Sequence, residues 1–132
     1  MQMKTKQLLS VALFMLVSTP LFAQQSGGIT RFPLQTQEFN VPGRIAIQAR
    51  VEIEPGIEGA KHTHPGLEMA YVIEGQLEVK VDGQPTRTYK AGEAFSVPDG
   101  VVHAATNTGT VVTKLLTTYL VEVGKPLVTP FK

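Results

Sequence analysis

The three histidines of this 132-residue chain are the residues best suited to chemistry. His62 and His64 are one residue apart in the stretch KHTHPGLE, and the carboxylate of Glu68 follows four residues later. Residues two apart in a strand project to the same face, so both imidazoles should point the same way, and Glu68 shares their parity. His103 begins a run after the turn at residues 98–100 and faces the other three residues if the sheet curls. The pattern therefore predicts three imidazoles and one carboxylate around one point.

Such a set suits one divalent first-row metal ion: Mn, Fe, Co, Ni, Cu or Zn. Neutral imidazole is the usual ligand form, and a six-coordinate ion would keep two positions for water or substrate. The chain has no cysteine, so thiolate ligands are excluded. Taken singly, each residue has a plainer interpretation, because an isolated His-x-His is more often a solvated pair and a strand glutamate is usually exposed. Their combination, which uses every histidine of the chain, favours a metal site.

Composition argues against several other functions. The chain has 12 basic and 11 acidic residues and no basic run, so nucleic-acid binding has no electrostatic support. With all three histidines assigned to the metal site, no serine has a plausible triad, and no second carboxylate pair suits hydrolysis. Arg50 is a charged candidate for anchoring a substrate carboxylate, with a solvent-facing strand arginine as the alternative.

The N-terminal residues predict export. Lys4 and Lys6 precede an uncharged apolar run at residues 8–17, and the segment STPLFA ends at Ala23. This run is too short to span a bilayer, which takes roughly 20 apolar residues. We therefore predict a signal peptide at residues 1–23 and a periplasmic or secreted mature protein with no membrane insertion. A buried N-terminal helix is the alternative, although no residue caps it.

The remaining chain is organised as one domain with an arm at each end. Residues 24–43 contain glycine and proline and are interpreted as a mobile arm with at most one edge segment. Residues 44–123 consist of short alternating runs separated by turn pairs such as Asp82-Gly83, with no helical period. This pattern predicts an all-β, antiparallel sandwich or barrel. Residues 124–132 are interpreted as a C-terminal tail.

Parity along the strands predicts which side chains face inward. The last run, residues 111–123, is apolar on both parities and is interpreted as a strand buried on both faces. Thr117 and Tyr119 in that run could reach the cavity, with core packing as the alternative for Tyr119. Counted from Glu68, the cavity side should carry Ala70 and Val72, and the opposite side Met69, Tyr71 and Ile73. An apolar lining of this kind favours an aromatic or otherwise hydrophobic substrate.

Two longer patterns enclose the four candidate ligands. The first is Gly56-x5-His62-x-His64-x3-Glu68-x6-Gly75, and the second is Gly92-x5-Pro98-x-Gly100-x2-His103-x3-Asn107. They match the two motifs of the cupin superfamily at every position and in the same order. The chain therefore resembles a single-domain cupin.

The resemblance implies a small antiparallel double-sheet jelly-roll β-barrel with a metal ion inside one mouth. By motif position it implies metal-ligand roles for His62, His64, Glu68 and His103, and structural roles for the glycines, Pro98 and Asn107. Single-domain cupins commonly pair, so the resemblance also implies a homodimer.

Three functions remain open at this point because the cupin fold hosts many chemistries. The first is a metal-dependent enzyme, dioxygenase-like, that acts on a small aromatic or enol compound at open metal positions. The second is a non-catalytic module that binds metal or a small molecule. In the third, the ion mainly stabilises a small cysteine-free domain.

Overall fold

The computed structural model describes residues 23–132, and these form eleven β-strands and no helix. The predicted signal peptide, residues 1–23, lies outside the described residues except for Ala23. The strands are β1 (Gln24–Ser26), β2 (Ile29–Glu38), β3 (Arg44–Ile53), β4 (His62–Thr63), β5 (Gly66–Glu74), β6 (Gln76–Val81), β7 (Arg87–Lys90), β8 (Ala94–Val97), β9 (His103–Thr106), β10 (Thr113–Glu122) and β11 (Thr129–Pro130).

The strands form two antiparallel sheets. The larger sheet has the order β1-β2-β3-β10-β5-β8, and the smaller one has the order β11-β4-β9-β6-β7. Apolar side chains from both sheets form one core cluster: Val51, Ile53, Val72, Leu77, Val79, Val81, Val97 and Leu115. The predicted all-β fold with two antiparallel sheets is confirmed.

The longest ladder of the larger sheet follows from period-two patterning. β3 and β10 pair over ten residues each, with Leu115 opposite Val51 and Thr113 opposite Ile53. Opposite residues of an antiparallel pair share a face, so alternate positions of both strands enter the core together. The expectation that the last strand is buried on both faces is wrong. Its inner residues are buried and its outer ones are half-buried, because no layer of the described chain covers the outer face of this sheet.

The ends of the chain carry more strand than their composition indicates. β1 and β2 lie in the range interpreted as a mobile arm, and β2 pairs with β3 over most of its length. Pro33 is tolerated because that part of β2 has β3 on one side only, and the register shifts just beyond it. β11, in the C-terminal tail, pairs with β4. The C-terminal strand therefore borders the strand that carries His62, and the N-terminal strands extend the larger sheet.

Gly75, between β5 and β6, occupies a position that requires glycine. Its φ is +82°, a left-handed conformation that other residues adopt at a cost. A Cβ there would lie 2.7 Å from the Thr113 hydroxyl oxygen. That hydroxyl donates to the Gln76 carbonyl at 2.6 Å, so it cannot move away without breaking a hydrogen bond. The turn and the start of β10 are thus locked together.

Asn107 fixes the loop that leads into β10. Its side chain is fully buried, and Nδ2 donates to the carbonyl oxygens of Ile53 and Val111, both at 2.8 Å. Oδ1 accepts from the Gly109 amide at 2.9 Å. One side chain therefore satisfies three backbone groups from two segments that are distant in sequence.

Replacing Asn107 with alanine is expected to lower the free energy of unfolding by about 3 kcal/mol, because buried backbone groups lose their partners. Urea unfolding followed by circular dichroism measures the change. Asn40→Ala, at an exposed site, is the matched control and should change the free energy of unfolding little. Equal unfolding midpoints for the two variants would contradict the structural role of Asn107.

No helix among residues 23–132 has the length and apolar character that a bilayer crossing requires.

Candidate metal centre

The three histidines meet between the two sheets near one end of the barrel. His62 on β4 is the cross-strand partner of His103 on β9, and their ring centroids are 4.2 Å apart. His64 follows β4 directly, and its ring centroid lies 4.9 Å from that of His62 and 5.0 Å from that of His103. One nitrogen from each ring lies within 4.8 Å of the other two. The three histidines are thus positioned to bind a metal ion.

Each imidazole is held by a backbone carbonyl on its outer nitrogen. Nδ1 of His62 lies 2.9 Å from the Ala60 oxygen, and Nδ1 of His103 lies 3.0 Å from the Val101 oxygen. Nδ1 of His64 lies 2.6 Å from the oxygen of Leu127, in the C-terminal tail. A carbonyl only accepts, so each Nδ1 carries a proton, and in the neutral ring the lone pair is on Nε2. Carbonyl contacts of this kind commonly orient metal-binding histidines.

Glu68 on β5 completes the cluster from the other sheet. Its Oε2 lies 3.2 Å from Nε2 of His64 and 3.0 Å from Nε2 of His103. The side chain is buried, and neither Oε2 nor the His64 Nε2 has a conventional hydrogen-bond partner among residues 23–132. A carboxylate oxygen facing imidazole lone pairs is unfavourable unless a metal cation or a ring proton offsets its charge. The donor set therefore fits a divalent metal ion.

The pKa values of His62 and Glu68 favour the protonation states that bind metal, whereas that of His103 opposes it. The pKa of His62 is lowered to about 4, chiefly by burial, and the nearby His103 and His64 contribute in the same direction. Burial alone would raise the pKa of Glu68, but its contacts with His103 and His64 outweigh burial and hold it at about 2. Burial opposes protonation of His103, yet the Glu68 carboxylate raises the pKa of that ring. At neutral pH His62 is uncharged and Glu68 is ionised, as metal binding requires.

A small cavity adjoins the cluster and opens towards solvent. Its volume is about 30 Å³, and it borders His62, Glu68, His103 and Tyr119. Apolar side chains from both sheets complete most of the lining: Val51, Ile53, Leu77, Val79 and Leu115. A wider depression of about 550 Å³ shares Ile29, Arg31, Gly59 and His62 with the cavity. We call the first the inner cavity and the second the mouth.

Tyr119 both packs in the core and borders the inner cavity. It is 1% exposed, and its ring centroid lies 4.8 Å from that of His64. Burial raises the pKa of the Tyr119 hydroxyl, and the Glu68 carboxylate raises it further. The phenol therefore stays protonated and can act as a donor beside the cluster.

Parity correctly predicts the two faces of β5. Ala70 and Val72 are buried, whereas Met69, Tyr71 and Ile73 are 44%, 47% and 48% exposed. Val72 belongs to the main core cluster. The expectation that Ala70 and Val72 line the cavity beside the metal is wrong, because both pack in the interior away from it. The apolar lining comes mainly from β3, β6 and β10, with Ile29, Phe95 and Ala105 from three other strands.

The cationic side chain at the cavity is Arg31, which the sequence analysis did not identify. Arg50 lies on the outer face, where it pairs with Glu52 at 2.9 Å and lies over the Phe32 ring at 4.4 Å. Arg31 on β2 is opposite Val51, a core residue, and therefore points inward. The signal available in the sequence was the alternation of Ile29 and Arg31 with Thr30 and Phe32, which neighbouring glycines and Pro33 obscured.

Comparisons with known proteins agree with this architecture. A germin-like protein, subfamily 2 member 2, from Arabidopsis thaliana is 42% identical over 66 residues, which are 46% of this chain and 30% of that protein. The Rhicadhesin receptor of Pisum sativum is 39% identical over 66 residues, with the same shares. The chain thus spans about 30% of the length of these curated relatives.

A solved structure and a family model extend the likeness to most of the barrel. An RmlC-like cupin from Shewanella frigidimarina superposes with a TM-score of 0.61 at 28% identity, over 79% of this chain and 86% of that one. The family model described as "Cupin domain" matches residues 49–119, which include all three histidines and Glu68. Because this match covers more than half of the chain, the chain belongs to the cupin family.

Proposed function

We propose that this chain is an exported, metal-dependent cupin that holds one divalent ion through His62, His64, Glu68 and His103. The identity of the ion is open among Fe, Mn, Co, Ni, Cu and Zn, because nitrogen and oxygen donors discriminate poorly between them. Export rests on the signal-peptide pattern of residues 1–23. One observation carries the metal proposal: three Nδ1 atoms are held by carbonyls while the Nε2 atoms of His64 and His103 face the Glu68 carboxylate.

The activity proposed for the site is a dioxygenase-like reaction on a small aromatic or enol compound. An ion bound there supplies Lewis-acid character, or redox chemistry when it is iron, copper or manganese. The chain's own part is to hold the ligands in one geometry, to limit water through an apolar inner cavity, and to offer the Tyr119 hydroxyl as a donor. The mouth, at about 550 Å³, has the volume of a small-molecule site.

A second candidate is a non-catalytic module that binds a small molecule or metal. It is favoured by the name of the pea relative, which is described as a receptor. In that case the same residues hold the ion, and binding at the mouth is the endpoint.

A homodimer is part of the proposal. Met69, Tyr71 and Ile73 are each nearly half exposed on the outer face of the larger sheet. Large apolar side chains grouped on one face commonly mark an interaction surface, and a second copy of this chain would cover them.

The test of the proposed function is elemental analysis and native mass of protein exported by its own N-terminal segment and purified without chelator. We expect close to one divalent ion per chain and the mass of a dimer. Oxygen consumption is then measured across enols, catechols and flavonol-like compounds. Turnover supports the enzyme, tight binding without turnover supports the binding module, and protein that takes up no metal on titration rejects both.

A further inference from the structure

Arg31 is a cationic side chain that the metal site does not use. It lies on β2 opposite Val51, so its side chain enters the barrel, while the next residue, Phe32, points outward beneath Arg50. Arg31 borders both the inner cavity and the mouth, and His62 also borders both. The guanidinium is therefore placed where the two spaces meet, beside the candidate metal ligands.

The Arg31 guanidinium has no anionic partner in the described part of the chain. Its Nε is buried without a hydrogen-bond acceptor, and no carboxylate of residues 23–132 forms an ion pair with it. Glu68, the carboxylate of the inner cavity, faces the Nε2 atoms of His64 and His103 and forms no ion pair with Arg31. Arg31 is half-buried, and the Tyr119 hydroxyl beside its side chain is neutral, so it supplies no counter-charge. An arginine is charged at all relevant pH values, and an anionic ligand would offset the cost of holding this charge in a partly desolvated site.

The charge of the loaded site favours an anion. Three neutral imidazoles leave Glu68 alone to offset the two positive charges of a divalent ion, and Arg31 adds another positive charge beside it. Glu58 and Lys61 in the mouth carry opposite charges and nearly cancel. A neutral ligand would leave this excess positive charge uncompensated in a low-dielectric pocket.

We propose that Arg31 anchors the carboxylate of a small organic acid, which is the ligand class of this site. The planar guanidinium fork matches a carboxylate and can donate two parallel hydrogen bonds to it. The inner cavity of about 30 Å³ admits a group of carboxylate size, and the rest of the molecule extends into the mouth. This inference rests on the proposed metal function, and it narrows the aromatic or enol compound to one that carries a carboxylate.

The experiment uses protein loaded with Co²⁺, whose visible absorption reports changes at the ion, titrated with acetate and with neutral acetamide. We expect acetate to shift the absorption saturably and acetamide to have no effect. Arg31→Gln should weaken acetate binding roughly 10- to 100-fold, since a charge-assisted pair is lost. Arg31→Lys, which keeps the charge without the fork, should bind acetate with intermediate affinity.

Arg50→Gln is the matched control, because Arg50 lies on the outer face of the same sheet and should leave acetate binding unchanged. Cobalt content is measured for every variant.

Cobalt uptake by the wild type with no response to acetate overturns this inference and leaves the metal function standing. Equal acetate affinity in the wild type and Arg31→Gln does the same. Inorganic phosphate binding more tightly than acetate overturns the carboxylate assignment. Failure of the wild type to take up cobalt overturns both proposals. If Arg31→Gln fails to fold, Arg31→Lys and the contrast of acetate with acetamide decide the question.

Discussion

Protein carrying His103→Ala is expected to leave purification without its metal ion. The substitution removes one of the four proposed donors and also one of the two imidazoles that face Glu68. Changes to residues that merely orient a metal ligand cost 10- to 100-fold in affinity, so loss of a ligand should cost more than about 100-fold. Elemental analysis of the purified variant, followed by metal titration, measures the loss.

Glu68→Gln separates loss of metal from loss of fold. The amide keeps the size of the side chain and can donate to the Nε2 atoms of His64 and His103, which lie 3.2 and 3.0 Å from the present carboxylate oxygen. The variant should therefore fold and yet bind metal weakly. Glu78→Gln, on β6 with its carboxylate 3.6 Å from Lys80 Nζ, is the matched control and should keep the ion. Full occupancy in both His103→Ala and Glu68→Gln would remove these residues from the site.

The strands of the barrel were predictable where the alternation of apolar and polar residues within a short segment was clear. The alternation of apolar and polar residues predicts a strand at residues 45–54, and β3 spans Arg44–Ile53. The short run at residues 94–97, between two turn signals, predicts the strand found as β8. Period-two alternation arises when one face of a strand is buried and the other is not. Both β3 and β8 have one face packed in the core. Local pattern was therefore enough for their existence and type.

The wrong predictions concern strands whose burial or pairing depends on other parts of the fold. β10 is apolar on both parities, but only its inner face is fully buried, because burial of the outer face needs another layer that sequence alone cannot reveal. β2 was interpreted as an arm because glycines and Pro33 interrupt it. Its strand character comes from pairing with β3, which a local reading does not detect. Arg31 was missed for the same reason, since its inward direction depends on that register.

For the candidate site, the proposed ligand residues were predictable from the sequence, but the backbone groups that orient them were not. Residue type and spacing single out His62, His64 and Glu68, and His103 joins them if the sheet curls, as the motif resemblance also implies. In the structure, β4 and β9 bring His103 next to His62. Their ligand roles remain predictions. The carbonyls that orient the rings were not predictable, because one of them, from Leu127, comes from a tail that pairs with β4 only in the folded chain.

Removal of the ion is expected to lower the melting temperature of the wild type substantially. The Nε2 atoms of His64 and His103 and the Glu68 carboxylate are buried against one another, and the proposed cation, bound only by the folded state, would compensate them. At an ion concentration about 1,000-fold above the dissociation constant, this linkage stabilises the fold by roughly 4 kcal/mol. For a domain of this size that corresponds to roughly 15–25 °C. Thermal unfolding with and without chelator, followed by readdition of the ion, measures the effect.

The chelated protein should nevertheless remain folded below its melting temperature, because the main core cluster, from Val51 to Leu115, does not include the candidate ligands. Glu68→Gln is the decisive comparison: its melting temperature should respond little to chelator or to added ion, because the site that links binding to folding is already weakened. Chelation that leaves the wild-type melting temperature unchanged would contradict the linkage. A shift of equal size in Glu68→Gln would place the stabilising ion elsewhere in the molecule.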